Sequence, residues 1–569
     1  MSRLFLCTEL PTSLLDSPDF YMNKKETIKT VEYVFSVIVA LYILFLLYRI
    51  VDAVCVSAPY PNEYREAANI AMTKSILAGE NIYSLESLAG AVPPVCYLYG
   101  PLMSLFAAAL SHILPGVSLQ VIHYGISILS IAVSAVFFSM MVNRYTKSSV
   151  AAPLAFLFMI FCHWRYGYGY AAPDSLGLCL MILVLFLLLK GVQREKRAAA
   201  GIDLYTEAAA FLTLATFFTK QYFLMIAGVG AVYLFIMSKK LFLRYASSGI
   251  VFSIIVFSAL KAKCPLYLTY AIYFLKGPGP GAAMGKTGKA HNESQVMYLG
   301  GMLLVLFIAV AAYFLRIIYQ QIRARKGEGR FLKYEKNEFV LLFMVQAAIS
   351  ALVLRYIGNN DGAFLSYYLQ LFTPALAALS VYSLDLFGRD LKEPKRAGWI
   401  FIPLCVIFFG YTIYKTEPRL VIEKPDAKEI SEWERAYRVL DGYIGEDIYY
   451  STLLAFHGYE NDQYVYDDGQ QFVFTRKFRD SYEGSKLARQ LFPYAGLVMD
   501  SHLLYREEMK DKLREGAYSL VMRLKDKDEI FDEEELKENY TLLDTYSLRA
   551  GSWSWDMEYW IRKDDMAER

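Results

Sequence analysis

The sequence predicts a polytopic α-helical membrane protein that ends in a soluble α/β domain. Three observations predict it. Of the 569 residues, 56% are hydrophobic and only 20% are charged, a balance too apolar for an average soluble chain. The apolar residues gather into many separate runs, each approaching the roughly 20 residues that carry a helix across a bilayer. The charge is also split. From Glu417 onward there are 34 acidic and 22 basic residues, a net −12, whereas the rest of the chain carries +14. A basic membrane part and an acidic soluble tail of about 150 residues, enough for one domain, account for the asymmetry.

Residues 1–30 are polar, and the apolar run at 31–56 is too long for a secretory leader and lacks a cleavage pattern, so it is expected to remain as a signal-anchor. Further apolar segments lie at 98–114, 118–142, 149–164, 174–190, 206–219, 222–238, 246–261, 296–319, 338–356, 365–387 and 398–414. Five connections are basic, around Arg144/Lys147, Lys190–Arg197, Lys239–Arg244, Arg323–Lys336 and Arg389–Arg396, and the positive-inside rule makes all five cytoplasmic. That assignment holds only if 98–114, bracketed by Gly100-Pro101 and Pro115-Gly116, stays in the outer leaflet; the other solution is that a weaker segment such as 206–219 is not a span. The first solution gives about eleven spans. It divides the chain into a cytoplasmic segment 1–30, a membrane domain 31–414 with an outer loop 57–117, and an extracytoplasmic domain 415–569.

The tail reads as mixed α/β. Asp447–Thr452, Gln463–Phe474 and Tyr518–Arg523 carry strand signals, His502–Arg514 reads as helix, Lys525–Glu538 as a charged helix or loop, and Tyr540–Arg562 as a final hairpin. None of the seven cysteines lies in the tail, and none has the spacing of a metal knuckle or disulfide framework, so the tail must be held by its core.

The outer loop is too long and too polar to be a mere connection. It opens on Asn62-Glu63, continues as an amphipathic helix EYREAANIAMTKSILAG stopped by Gly79, and closes on a Tyr-rich segment ending in Gly100-Pro101-Leu102. Asn62 suits an N-cap, and Glu63 falls in the first turn, where the helix dipole favours an anion. Glu63 is either a dipole-matched surface carboxylate or a general base at the mouth of a helix bundle, with Glu66 one turn on as the second choice.

With Ala68, Leu77, Gly79 and Tyr83, then Tyr97, Tyr99, Pro101 and Leu102, this stretch resembles the GT-C glycosyltransferases. These polyprenyl-phosphate-sugar enzymes include the protein O-mannosyltransferases and the lipid A aminoarabinose transferase. Asn62 stands where the family typically has Asp, which leaves Glu63 as the implied base. Ala172-Pro173-Asp174-Ser175-Leu176 resembles the family's Arg-Pro-Asp-x-Leu element, with the Arg displaced to Arg165. Thr219-Lys220-Gln221 resembles a Lys-Gln pair at a helix junction. The resemblance implies a GT-C-like fold, a polyprenyl-phosphate sugar as donor, and a lipid, glycan or protein hydroxyl as acceptor. It implies catalytic roles for Glu63, Glu66 or Asp174, and donor binding by Asn62, Arg165, Lys220 and Gln221.

Other residues are weighed on their own chemistry. Asp174 would otherwise be a helix cap, and Lys220 a snorkelling side chain. The Gly-rich segment Lys276–Ser294 is not a phosphate-binding P-loop, because Pro280 stands where that motif needs its first glycine. It is either a linker or a lid bearing Lys286. His291 beside Glu293 is the weak pointer to a divalent metal; no cofactor is otherwise implied. Arg355 is a further phosphate candidate, and Tyr368 follows it in the same outer stretch. Nothing suggests nucleic acid as a partner. Two readings compete with the transferase: a flippase or transporter of lipid-linked glycans, and a non-catalytic scaffold that displays the tail.

Overall fold

The structure is a computed structural model that describes residues 18–57, 60, 66–88, 98–166, 173–197, 204–274, 337–360, 369–390, 426–450, 453–463, 476–525, 531, 533–550 and 553–568. It is mostly helical, with one small sheet near the C-terminus. Among the described residues, stretches within four helices are long and apolar enough to cross a membrane: Glu32–Asp52, Leu119–Tyr145, Asp174–Lys196 and Lys239–Lys263. The chain is a membrane protein with a C-terminal α/β part. The expected segments 296–319 and 398–414 lie outside the described residues.

Helix α1 (Pro18–Ser57) buries Val39, Ile43, Leu46 and Ile50, a stripe at helical spacing, and turns Leu41, Leu44 and Tyr48 outward. Its apolar outer face is what a helix at the rim of a bundle presents to lipid. The helices that follow are α4 (Leu119–Tyr145), α5 (Ala151–Tyr166), α6 (Asp174–Lys196), α7 (Tyr205–Phe217), α8 (Met225–Met237), α9 (Lys239–Lys263), α10 (Glu338–Asn360) and α11 (Thr373–Asp390). They share one apolar core with α1.

Ion pairs and hydrogen bonds hold three of the basic connections, those around Arg144, Lys196 and Arg244, in the bundle. Lys196 Nζ reaches Glu338 Oε2 at 2.6 Å, Tyr145 OH donates to Glu338 Oε1 at 2.9 Å, and the amides of Lys147 and Ser148 donate to Asp385 Oδ1 at 2.9 and 2.8 Å. Arg244 pairs with Glu207.

The short helices α2 (Glu66–Leu77) and α3 (Leu102–Ile113) lie at the end of the bundle where α4 begins. Twelve residues make α3 about 18 Å long, well short of the roughly 30 Å hydrocarbon layer. Its N-terminus is fixed by Leu102 N donating to Phe218 O at 3.0 Å, at the turn between α7 and α8. Five residues after α3 the chain enters α4, whose first turn meets Tyr60 at this same end through Gln120.

Helix α2 departs from expectation. Gly79 does end it, with φ +76°, and Glu80 N closes back on Ser75 O. The helix is not half solvated, however. Glu66, Ala68, Asn69, Ile70, Ala71, Met72, Thr73 and Ser75 are all buried, because α2 is covered by the bundle on one side and the tail on the other. Its polar stripe Glu66, Asn69, Thr73 does not face water; Glu66 and Thr73 reach polar side chains of α4.

The tail sheet has the order β1-β2-β4-β3, with β1 (Ile448–Tyr449), β2 (Leu520–Leu524), β3 (Tyr540–Ala550) and β4 (Trp553–Arg562). β1 pairs parallel with β2, and β4 is antiparallel to both its neighbours. The expected hairpin is β3–β4, with a register shift between Leu542 and Asp544. Helix α12 (Ala427–Asp441) starts in a capping box between Asp426 and Glu429 and is locked onto β3 by Trp433 Nε1 donating to Arg549 O at 2.9 Å. The helix read from His502–Arg514 starts earlier, as α13 (Ala495–Arg514). The strand pattern at Gln463–Phe474 lies almost wholly outside the described residues.

Candidate functional site

The end of the bundle that holds α2 and α3 carries two clusters of buried polar side chains. The first is built on Asp174. Pro173 occupies the cap position of α6, so Asp174 is the first helical residue, and its carboxylate does not cap the helix. It accepts from Lys220 Nζ at 2.7 Å through Oδ2, and from Gln370 Nε2 at 3.0 Å and Tyr222 OH through Oδ1. Gln370 Nε2 also lies 2.7 Å from Tyr222 OH. Both charges are deeply buried, with 2% of the Asp174 side chain and 8% of the Lys220 side chain exposed. The Lys220 ammonium sits 4.6 Å above the ring of Tyr99.

Local backbone geometry brings these groups together. The break at 218–224 separates α7 from α8, and Lys220 is extended there with φ −142°. Gly100 N donates to Thr219 O at 3.1 Å, and Gln221 Nε2 donates to Leu98 O at 2.9 Å. The loop strand 98–102 thus lies directly against the Lys220 turn. Gly100 is required at this approach, since a Cβ there would fall inside the Phe218 carbonyl. Gly177, one turn into α6, likewise leaves room for the ring of Phe223.

The second cluster lies between α2 and α4. Glu66 is 1% exposed and accepts from Tyr124 OH at 3.1 Å, and Gln120 Nε2 contacts the same hydroxyl. Gln120 Nε2 also donates to Tyr60 O at 2.8 Å. Thr73 Oγ1 and His123 Nε2 are 2.8 Å apart, both fully buried. The two clusters are joined through α3, because Ser104 Oγ donates to Asn69 O at 3.3 Å.

The tail closes over this end. Tyr60 stacks on Trp433 with ring centroids 5.4 Å apart. Tyr482, Val498 and Met499 pack with Tyr83, Tyr267 and Tyr270, and Ser501 Oγ donates to Leu88 O at 3.1 Å. Lys74 pairs with Asp462 at 2.8 Å. Beside this pair, burial raises the Glu460 carboxyl above its usual range, with Lys74 acting against the rise.

The sequence-predicted residues divide as follows. Asp174 and Lys220, expected in separate roles, form one ion pair, so the Lys220 charge is already compensated. Glu66 is buried against Tyr124 rather than standing at a solvated helix start. Gln221 ties the turn to the loop. Asn62, Glu63, Lys286, His291 and Tyr368, and the side chains of Arg165 and Arg355, lie outside the described residues. Sequence reasoning missed Gln120, His123, Tyr124, Tyr222 and Gln370. For the first three a signal was present: they are close-spaced polar residues inside an apolar segment, where such groups seek partners in the bundle. Among the described residues no three His, Cys, Asp or Glu side chains stand together as a metal site, and both Asp174 oxygens already accept hydrogen bonds.

No protein-family model matches the chain, and no curated protein matches it. Two solved structures resemble it at a low level. One is the crystal structure of the Archaeoglobus fulgidus oligosaccharyltransferase in complex with zinc and sulfate. It is 12% identical over 84% of this chain and 67% of that one, with a TM-score of 0.45. The other is the archaeal oligosaccharyltransferase AglB from Archaeoglobus fulgidus in complex with an inhibitory peptide and a dolichol-phosphate. It is 11% identical over 90% of this chain and 74% of that one, with a TM-score of 0.43. Likeness at this level assigns neither a fold nor an activity to this chain.

Proposed function

We propose that the protein is an integral-membrane glycosyltransferase of GT-C type. It takes a sugar from a polyprenyl-phosphate carrier and moves it to a hydroxyl of a lipid, glycan or protein. In this reading the N-terminus is cytoplasmic, and the α2–α3 end and the tail are extracytoplasmic. The observation that carries the reading is the convergence at one end of the bundle. The motif-bearing loop, the Lys220 turn and Asp174 meet there, beneath a tail that supplies a wall for the acceptor.

The chemistry is divided among the chain's own residues. Glu63 is the base that takes the acceptor proton as the hydroxyl attacks the anomeric carbon. Glu66, three residues on, is a positioning residue that pins α2 to Tyr124. The Asp174–Lys220 pair holds the 98–102 strand and the 218–224 turn in register. Lys220 shares its charge between Asp174 and an incoming donor phosphate. Arg355, with Arg165 and Lys286, supplies further positive charge that stabilises the leaving phosphate. Tyr99, Gln221 and Tyr368 line the donor path.

The test is release of free polyprenyl phosphate from a panel of polyprenyl-phosphate sugars by the purified protein, with membrane extract as acceptor. Wild type is expected to release it and Glu63→Gln is not. Release by both would keep the enzyme and remove Glu63 as base. Donor bound but released by neither would favour a transporter.

A further inference from the structure

At the basic end of the bundle, far from the site above, α4 and α6 part around a cavity of about 330 Å³. Its inner wall is apolar, made by the buried Met141 and Leu189 together with Phe186. Phe137 meets Phe186 edge-on with centroids 4.9 Å apart and backs that wall.

The rim is cationic. Arg144 lies in the last turn of α4, and Lys190 faces it from α6, its ammonium 5.2 Å over the Phe186 ring. Among the described residues neither forms an ion pair with an acid. Of the acids described at this end, Glu338 is taken by Lys196 and Tyr145, Asp385 by the amides of Lys147 and Ser148, and Glu207 by Arg244. Two uncompensated cations on one rim repel each other and favour an anion between them.

A third feature is the side chain of Gln193, which lines the same cavity and is 7% exposed. Its Nε2 is directed to Tyr145 OH, and its Oε1 is buried with no hydrogen-bond donor among the described residues. A buried amide oxygen in that state calls for a donor from whatever fills the cavity.

We infer that this cavity binds an anionic phospholipid whose headgroup carries a hydroxyl. The phosphate lies between Arg144 and Lys190, the headgroup hydroxyl donates to Gln193 Oε1, and the first acyl carbons lie on Met141, Leu189 and Phe186. A lipid fits better than free phosphate because the wall is apolar and the site lies where helix ends meet headgroups.

The experiment uses the full chain in phosphatidylcholine nanodiscs. Phosphatidylglycerol, phosphatidic acid or soluble glycerol 3-phosphate is titrated in, read by native mass spectrometry and by thermal unfolding. Saturable retention of phosphatidylglycerol with a rise in Tm is expected. The double variant Arg144→Gln/Lys190→Gln should weaken retention on the order of tenfold or more. Arg144→Lys should keep most of it, which separates lost charge from lost fold. Gln193→Leu should weaken phosphatidylglycerol but leave phosphatidic acid, which has no headgroup hydroxyl, unchanged. Should the double variant fail to fold, the Gln193→Leu selectivity decides the question. Phosphatidylglycerol retention unchanged in the double variant, or equally weakened retention of both lipids in Gln193→Leu, would overturn the site as drawn. An equal Tm shift with glycerol 3-phosphate alone would overturn the lipid and leave a phosphate site.

Discussion

Breaking the Asp174–Lys220 pair should cost far more singly than jointly. The two side chains are 2% and 8% exposed and 2.7 Å apart, so removing either partner strands a charge in a poorly hydrated setting. Such losses run to about 3–5 kcal/mol. Both singles should fall near the lower bound, because each stranded group keeps other partners. After Asp174→Asn, the Lys220 ammonium retains the face of Tyr99 at 4.6 Å, an interaction of up to about 2 kcal/mol when desolvated. After Lys220→Met, the Asp174 carboxylate retains the donors Tyr222 and Gln370. The double variant Asp174→Asn/Lys220→Met removes both charges and buries no ion, so it should lose only about 1 kcal/mol. The coupling energy, the shortfall of the double loss against the sum of the singles, is then about 5 kcal/mol, well above the few tenths found between independent sites. Equilibrium unfolding in mixed micelles with increasing sodium dodecyl sulfate, run on all four proteins, gives the cycle. Single losses that simply add in the double variant would refute the pairing and return Lys220 to the donor phosphate as an independent cation.

Three further outcomes follow from named contacts. Gly100→Ala should prevent the 98–102 strand from docking, because the methyl group meets the Phe218 backbone and not a movable side chain; a loss of about 3 kcal/mol or more, or failure to express, is expected in the same unfolding assay. Tyr60→Ala removes the stack on Trp433 and the tilted contact with Tyr437, together about 1–3 kcal/mol, and should raise hydrogen exchange across residues 427–441 while the β3–β4 amides stay protected. His502 is fully buried, and burial, with Arg506 nearby, pushes its imidazole down from 6.5 to about 3. The unfolded chain therefore takes up a proton below pH 6.5 that the folded tail refuses. Stability should fall as the pH drops from 6.5 toward 3, by about 2 kcal/mol at pH 5, and His502→Leu should flatten that slope in tryptophan-fluorescence unfolding.

The features legible in the sequence were those written in local pattern. The apolar span within α1, the Gly79 stop and the β3–β4 hairpin each follow from a few neighbouring residues. The reading of 98–114 as a segment that does not cross rested on charge parity, a sum over short loops. What pattern could not give was pairing across distance. Asp174 lies 46 residues from Lys220, and Glu66 lies 58 from Tyr124. Only packing of α6 against α7, and of α2 against α4, brings them together. The polar side of α2 looked like a solvent face because polar residues at helical spacing usually are one. Its burial depends on Tyr124 and His123 from the bundle and on the tail above, which no window of 15 residues contains.

That burial sharpens the division of labour in the outer loop. A carboxylate that must collect an acceptor proton has to meet the acceptor, and Glu66, 1% exposed and holding Tyr124, cannot do so without unpacking α2. Glu66→Gln should therefore lower stability by about 1–2 kcal/mol, the difference between a hydroxyl donating to a charged and to a neutral oxygen. It should leave the pH dependence of turnover unchanged. Glu63→Gln should do the reverse, abolishing turnover at little expense in stability. A folded Glu66→Gln variant that loses turnover would make Glu66 the base and would mean that α2 opens during turnover.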